Sequence, residues 1–106
     1  MVTIEFCSSK GRLTGFEISG HSGYADEGSD IICASISSCA YMVVNTITDI
    51  VHLDANILVN DGYMKLVLNE NDAAKVQDLL RGFELHAKEL AKDYRQFIRC
   101  KTKTIQ

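Results

Sequence analysis

The chain has 106 residues, 46% of them apolar and 24% charged, which suits one hydrophobic core and is too short for two. A formal charge of −3 argues against a general polyanion-binding surface, and only Arg99 to Lys103 is locally basic. No apolar run nears the ~20 residues that span a bilayer, and the Met1–Glu5 start lacks the basic flank and apolar core of a signal peptide. The expectation is a single domain over residues 1–106, cytoplasmic and off the membrane, whose four cysteines are reduced thiols.

Val2, Ile4 and Phe6 alternate with Thr3, Glu5 and Cys7, which is strand periodicity. Ser8-Ser9-Lys10-Gly11 predicts a hairpin turn into a second strand, Arg12 to Ser19, with Phe16 and Ile18 on one face. A loop from Gly20 to Ser29 follows. From Asp30 the apolar positions become helical: Ile32, Ile36, Cys39 or Ala40, Val43, Ile47, and Ile50 or Val51. Asp30 suits the N-cap of that helix, which is predicted to end near His52.

Ala55 to Asn60 and Tyr63 to Asn69 flank Asp61-Gly62, a strong hairpin signal. Asn69-Glu70-Asn71-Asp72 gives a polar cap and acidic first turn to a second helix. Its inward stripe is Val76, Leu80, Phe83, Ala87, Leu90 or Ala91, and Tyr94. The β-branched and basic residues from Phe97 to Ile105 suggest a final edge strand. The order β-β-α-β-β-α(-β) predicts an α+β domain, an antiparallel sheet of four to five strands with two helices packed on it.

Chemistry concentrates in the Gly20–Cys33 stretch. With Asp30 as N-cap, Cys33 is the third helical residue, where orphan N–H groups and the helix dipole favour a thiolate and can hold an oxyanion. His21, on a glycine-flanked loop, is placed to fold back as its general base. Spacing alone leaves Cys33 balanced between nucleophile and packed small hydrophobe. Cys39 on the apolar stripe, and Cys7 and Cys100 in strand-like segments, read as packed thiols. Ser37 lies one turn from Cys33 on the same face, able to donate to substrate or thiolate, or to bond its own helix. Gly20, Gly23 and Gly28 suit the hinges of a mobile lid, or simply serve turns. His52 and His86 have weaker claims. The cysteines contain no C-x-x-C pair and the histidines no i, i+4 pair, so no metal and no other cofactor is expected.

The string Gly20-His21, six residues, then Gly28-x-Asp30-Ile31-Ile32-Cys33-Ala34-x-x-Ser37 resembles the ribosomal-processing cysteine proteases of bacteria. The likeness extends to the chain length, the two-helix layout and the long second helix. It departs at Ser22, where the family often has alanine, and at Ala34-Ser35-Ile36-Ser37, where Ala-Ala-Val-Ser is common. Both keep small residues beside the site. The resemblance implies a dyad of Cys33 as nucleophile and His21 as base, with Asp30 and Ser37 supporting and Gly20 as loop hinge. It also implies a homodimer that cleaves the N-terminal extension of a large-subunit ribosomal protein, with an extended substrate lying under the Gly20–Ser29 loop. No membrane partner and no direct nucleic-acid binding are expected. The rival expectation is a non-catalytic ribosome- or RNA-associated module using Arg99, Lys101 and Lys103. A thiol redox sensor at Cys33 ranks last, for want of a resolving cysteine.

Overall fold

The computed structural model describes residues 1–20 and 27–105, the side chains of residues 27–30 excepted. It shows five strands, β1 (Val2–Ser9), β2 (Arg12–Ser19), β3 (Asn56–Asn60), β4 (Tyr63–Val67) and β5 (Ile98–Thr104). The helices are α1 (Glu27–Asn45), continued by a π-helical turn over Thr46–Ile50, α2 (Glu70–Lys75) and α3 (Gln77–Asp93). The α+β prediction holds, with two refinements to the architecture. The sheet runs β3-β4-β2-β1-β5, and it is mixed, because β5 pairs parallel to β1 while every other pair is antiparallel. A strand that returns through a long helix instead of a hairpin can enter beside β1 in the same direction, and α3 supplies that crossover. The second predicted helix is also two helices, α2 and α3.

The alternation in β1 is real: Val2, Ile4 and Phe6 are buried. Lys10 and Gly11, at φ 53° and 79°, make the two-residue turn that brings Ser9 opposite Arg12. On the helix-covered face Phe6, Phe16 and Phe83 form a triad of rings, with centroids 5.1 to 6.1 Å apart. Two of the three contacts are edge-on, the geometry that aromatic quadrupoles favour.

Helix α1 begins at Glu27, so Asp30 is not its N-cap and Gly28 is helical, not a loop hinge. The predicted loop to Ser29 is correspondingly too long. Apolar periodicity begins near Asp30, but a helix can start with a polar turn before its buried stripe does. That stripe is Ile32, Ile36, Ala40, Val43, Val44 and Ile47. It stops at Ile47: Ile50 and Val51 are exposed, contrary to the predicted pattern. The Val51 N–H reaches back five residues to the Thr46 carbonyl at 2.9 Å, and this wider turn takes the following residues out of α-helical phase. His52 at φ 60° ends the segment as predicted. Contrary to expectation, Ile31–Ile50 is by length and composition able to cross a bilayer. In the fold this helix lays its apolar stripe on the sheet.

Asn69 caps α2, its side chain accepting from the Asp72 N–H at 2.8 Å. The helix then breaks at Val76, at φ −126° and ψ 26°. Gln77 explains the break. Its side-chain amide accepts from the Leu13 N–H at 2.9 Å and donates to the Leu13 carbonyl at 2.6 Å. It thereby pairs β2 backbone that β4, registered only with Gly15 to Ser19, does not reach. Tyr94, assigned to the buried stripe, is instead the exposed C-cap of α3.

Glu84 is a buried charge on α3 that sequence reading did not single out. Its carboxylate accepts from the Thr102 hydroxyl of β5 at 2.8 Å and from Arg81 at 3.2 Å, with Lys88 at 3.7 Å. Burial pushes its pKa up, but the Thr102 and Arg81 hydrogen bonds and the two cations outweigh that and hold it below the ordinary carboxylate value. A lowered folded pKa means stability present above the unfolded value and lost as pH falls through the folded one. Thermal melts of Glu84→Gln are expected to show a loss of about 1 kcal/mol at neutral pH, modest because Arg81 and Lys88 are solvated. The gap to the parent should narrow as pH falls below the ordinary carboxylate value and the parent's Glu84 takes up its proton; a gap that stays unchanged in acid contradicts the ionised role.

Candidate active site

A cleft of about 280 Å³ opens between the outer side of α1, the first residues of β1 and the β3–β4 turn. Cys33 and Ser37 both line it, and so does Gly20. The buried stripe of α1 sets this arrangement. With Ile32 and Ile36 turned into the sheet, positions 33, 37 and 41, successive at four-residue spacing, form the neighbouring row that faces the cleft. Cys33 is half-buried and Ser37 exposed.

The seventh position of α1 belongs to Cys33, not the third. The unpaired N–H groups and the dipole's positive end belong to the first turn, so the helix-terminus activation expected for this thiol does not hold. The same correction removes the helix N-terminus as oxyanion hole. Ser37 is differently placed from Ser35, whose hydroxyl donates to the Ile31 carbonyl at 2.9 Å. Among the described residues, Ser37 makes no such bond to its own helix, and it lines the cleft with Cys33.

Gly20 closes β2 at φ 101°, a conformation that L side chains rarely adopt. Its N–H donates to the Gly62 carbonyl at 3.0 Å, tying the end of β2 to the β3–β4 turn. A Cβ there would overlap the Met1 carbonyl oxygen. Glycine is required here by backbone geometry and close approach together. His21 and Gly23 lie outside the described residues, as does the side chain of Asp30, so the structure does not bring them into this account.

Cys7 and Cys100 occupy strands, and burial pushes both thiols above their ordinary pKa. Cys39 packs against the core on the far side of α1. Cys33 alone of the four lines this cleft. Lys101 and Lys103, the heart of the basic tail, pair with Glu5 at 3.1 and 3.6 Å, which lowers the Glu5 pKa, chiefly through Lys101. That pairing weakens the tail as an RNA-binding feature. Among the described residues no three His, Cys, Asp or Glu side chains are grouped to hold a metal ion.

Sequence reading missed the opposite wall of the cleft. Val59, Asn60 and Tyr63 of the β3–β4 hairpin line it, Tyr41 extends the α1 row that faces it, and the Tyr63 hydroxyl donates to Glu17 at 2.8 Å. Tyr41 carried a signal, being eight residues after Cys33 and so on its face; the hairpin residues carried none until the sheet order was known.

Residues 1–99 match the family described as Cysteine protease Prp. The ribosomal processing cysteine protease Prp of Bacillus subtilis is 26% identical over 109 residues, covering 97% of this chain and 96% of that protein. The crystal structure of SMU.848 from Streptococcus mutans superposes with a TM-score of 0.88 at 31% identity, covering 99% of this chain and 96% of that one. An essential ribosomal processing protease Prp from S. aureus, in complex with a substrate peptide, gives 0.86 at 22% identity, covering 97% and 100%. The same S. aureus protease with a covalently linked product peptide gives 0.84 at 23%, with the same coverage.

Alkylation of the folded protein at pH 7 to 8, mapped by peptide mass spectrometry, is expected to label Cys33 well before Cys7 and Cys100, whose burial suppresses the thiolate. Equal labelling of all three would contradict the cleft assignment.

Proposed function

We propose, from the premise that the chain belongs to the cysteine protease Prp family, that it cleaves the N-terminal extension of a large-subunit ribosomal protein with Cys33 as nucleophile and His21 as base. One observation carries the nucleophile: of four cysteines, Cys33 alone faces the 280 Å³ cleft. Support for His21 comes from the chain itself, since it directly follows Gly20, which lines that cleft and is pinned to its far wall. The S. aureus relative carrying a covalently linked product peptide supports a covalent intermediate.

In this mechanism the Cys33 thiolate attacks the scissile carbonyl carbon, and the carbonyl oxygen takes the negative charge. The Ser37 hydroxyl, one turn along in the cleft, donates to that oxygen or to the thiolate. Protonated His21 gives its proton to the leaving nitrogen as the C–N bond breaks, leaving a thioester on Cys33. His21 then takes a proton from water, the hydroxide displaces the sulfur, and the thiolate is restored. Asp30 is the candidate to orient His21. The reaction is placed in the cytosol, where thiols stay reduced.

The test is cleavage of a peptide bearing the N-terminal extension of the organism's large-subunit ribosomal protein. Cys33→Ala should lose cleavage altogether with an unchanged melting curve, and His21→Ala should lose it at least about a hundredfold. Cleavage retained by Cys33→Ala sinks the mechanism.

The reading includes a homodimer with no direct nucleic-acid contact. Supporting the dimer is the outer α1/α3 face, where Met42, 56% exposed, borders an apolar groove floored by Val43, Leu79 and Phe83. Light scattering should give twice the chain mass for the parent and one chain mass for Met42→Glu. A monomeric parent would remove the dimer from the reading.

A further inference from the structure

The sheet has two edges, and they are treated differently. Edge strands present unpaired N–H and C=O groups, which proteins commonly guard with charge, proline or bulges. β5 is guarded: Arg99, Lys101 and Lys103 fall within its seven residues. β3, Asn56-Ile57-Leu58-Val59-Asn60, has no charged residue and no proline, and its register with β4 is unbroken. Leu58 and Val59, on opposite faces, are 58% and 47% exposed. Among the described residues no strand pairs with its outer side.

This unguarded edge runs into the cleft that contains Cys33. Val59 and Asn60, the last two residues of β3, line that cleft, with Tyr41 of α1 also on its wall. We propose that the outer edge of β3 is the docking strand for the substrate, whose extended backbone adds to the sheet as a sixth strand and is led by it to Cys33. This rests on the protease reading above. Strand addition matches the task, because main-chain pairing supplies affinity whatever the sequence, while alternate side chains of the added strand point to opposite faces. One set then faces Val59 and Tyr41 and is read by the cleft; the other faces Leu58 and solvent. A second copy of the chain is the competing occupant. Five residues of one strand are a small patch beside the ~800 Å² per partner of a stable interface, and such a pairing would not account for the continuity with the cleft.

The test uses full-length Cys33→Ala protein and the ribosomal-protein extension peptide. Hydrogen–deuterium exchange is expected to slow over residues 56–60 when peptide is added, with no change over residues 98–104. Peptides N-methylated at single amides should bind about tenfold more weakly at every second position and normally between, as expected for losing one backbone hydrogen bond and its partner's satisfaction. Exchange over 56–60 indifferent to peptide, or affinity indifferent to N-methylation, overturns the proposal. Protection of 56–60 that rises with protein concentration in the absence of peptide assigns the edge to a second copy and overturns it as well. Cleavage of the same peptide by the parent enzyme is read separately: cleavage without protection at 56–60 keeps the protease and discards the docking strand.

Discussion

Everything at the cleft depends on how α1 is rotated about its own axis, and that rotation is set by hydrophobic burial alone. Ile32, Ile36, Ala40, Val43 and Ile47 are almost completely removed from water on the sheet. Each large aliphatic among them contributes about 1.5–3 kcal/mol. Rotating the helix by one residue, about 100°, would expose that stripe and bury the polar face. No single polar contact at the cleft approaches that energy. Cys33, Ser37 and Tyr41 therefore face the cleft as a consequence of where the isoleucines point. Ala40 contributes by being small, so the helix axis can approach the sheet at the centre of the contact.

The sheet that receives α1 is held from its other helix by polar clamps as well as by the phenylalanine triad. Gln77 joins the α2–α3 break to the stretch of β2 that β4 does not reach, and Glu84 joins α3 to β5 through Thr102. These bonds use side chains to complete backbone or charge that the fold leaves without water. Neither touches the cleft: Gln77 fixes β2, whose far end lines it, and Glu84 fixes β5, the parallel neighbour of β1. The Gly20 N–H bond to Gly62 does the same at the cleft rim, binding two strand ends at the point where the chain continues to His21.

Much of this was readable from periodicity. Strand alternation in residues 2–7, the hairpin at Lys10-Gly11, the Asn69 cap and the stripe from Ile32 to Ile47 are local patterns, and local patterns survive folding. What escaped was decided by tertiary partners. The helix break at Val76 depends on Leu13, sixty-three positions away in sequence, and the direction of β5 on the length of the α3 crossover. The buried charge of Glu84 depends on Thr102. The helix start differs for another reason: Asp30 is a good cap by type, but Glu27, Gly28 and Ser29 are helical before it. At the site, the α1 row was legible because Cys33 and Ser37 share a helix face. The β3–β4 wall was not, because its nearness to α1 exists only in the sheet order.

The earlier helix start changes the chemistry more than the architecture. Sequence reading had two independent ways to activate the thiol, an imidazole and a helix terminus. At a rise of 1.5 Å per residue, Cys33 lies about 9 Å beyond Glu27 along the axis, and a macrodipole effect confined to the first turn fades before it gets there. The Cys33 amide is likewise an interior one, unavailable to an oxyanion. Activation and charge stabilisation therefore fall to side chains, and the demands on them differ. In the proposed mechanism an imidazole would make the thiolate and then supply the proton to the leaving nitrogen, a double duty that a helix dipole could never perform. A hydroxyl at Ser37 can follow charge as it moves from sulfur to carbonyl oxygen. In the proposed mechanism the histidine thus carries a duty for which the sequence had offered an apparent alternative.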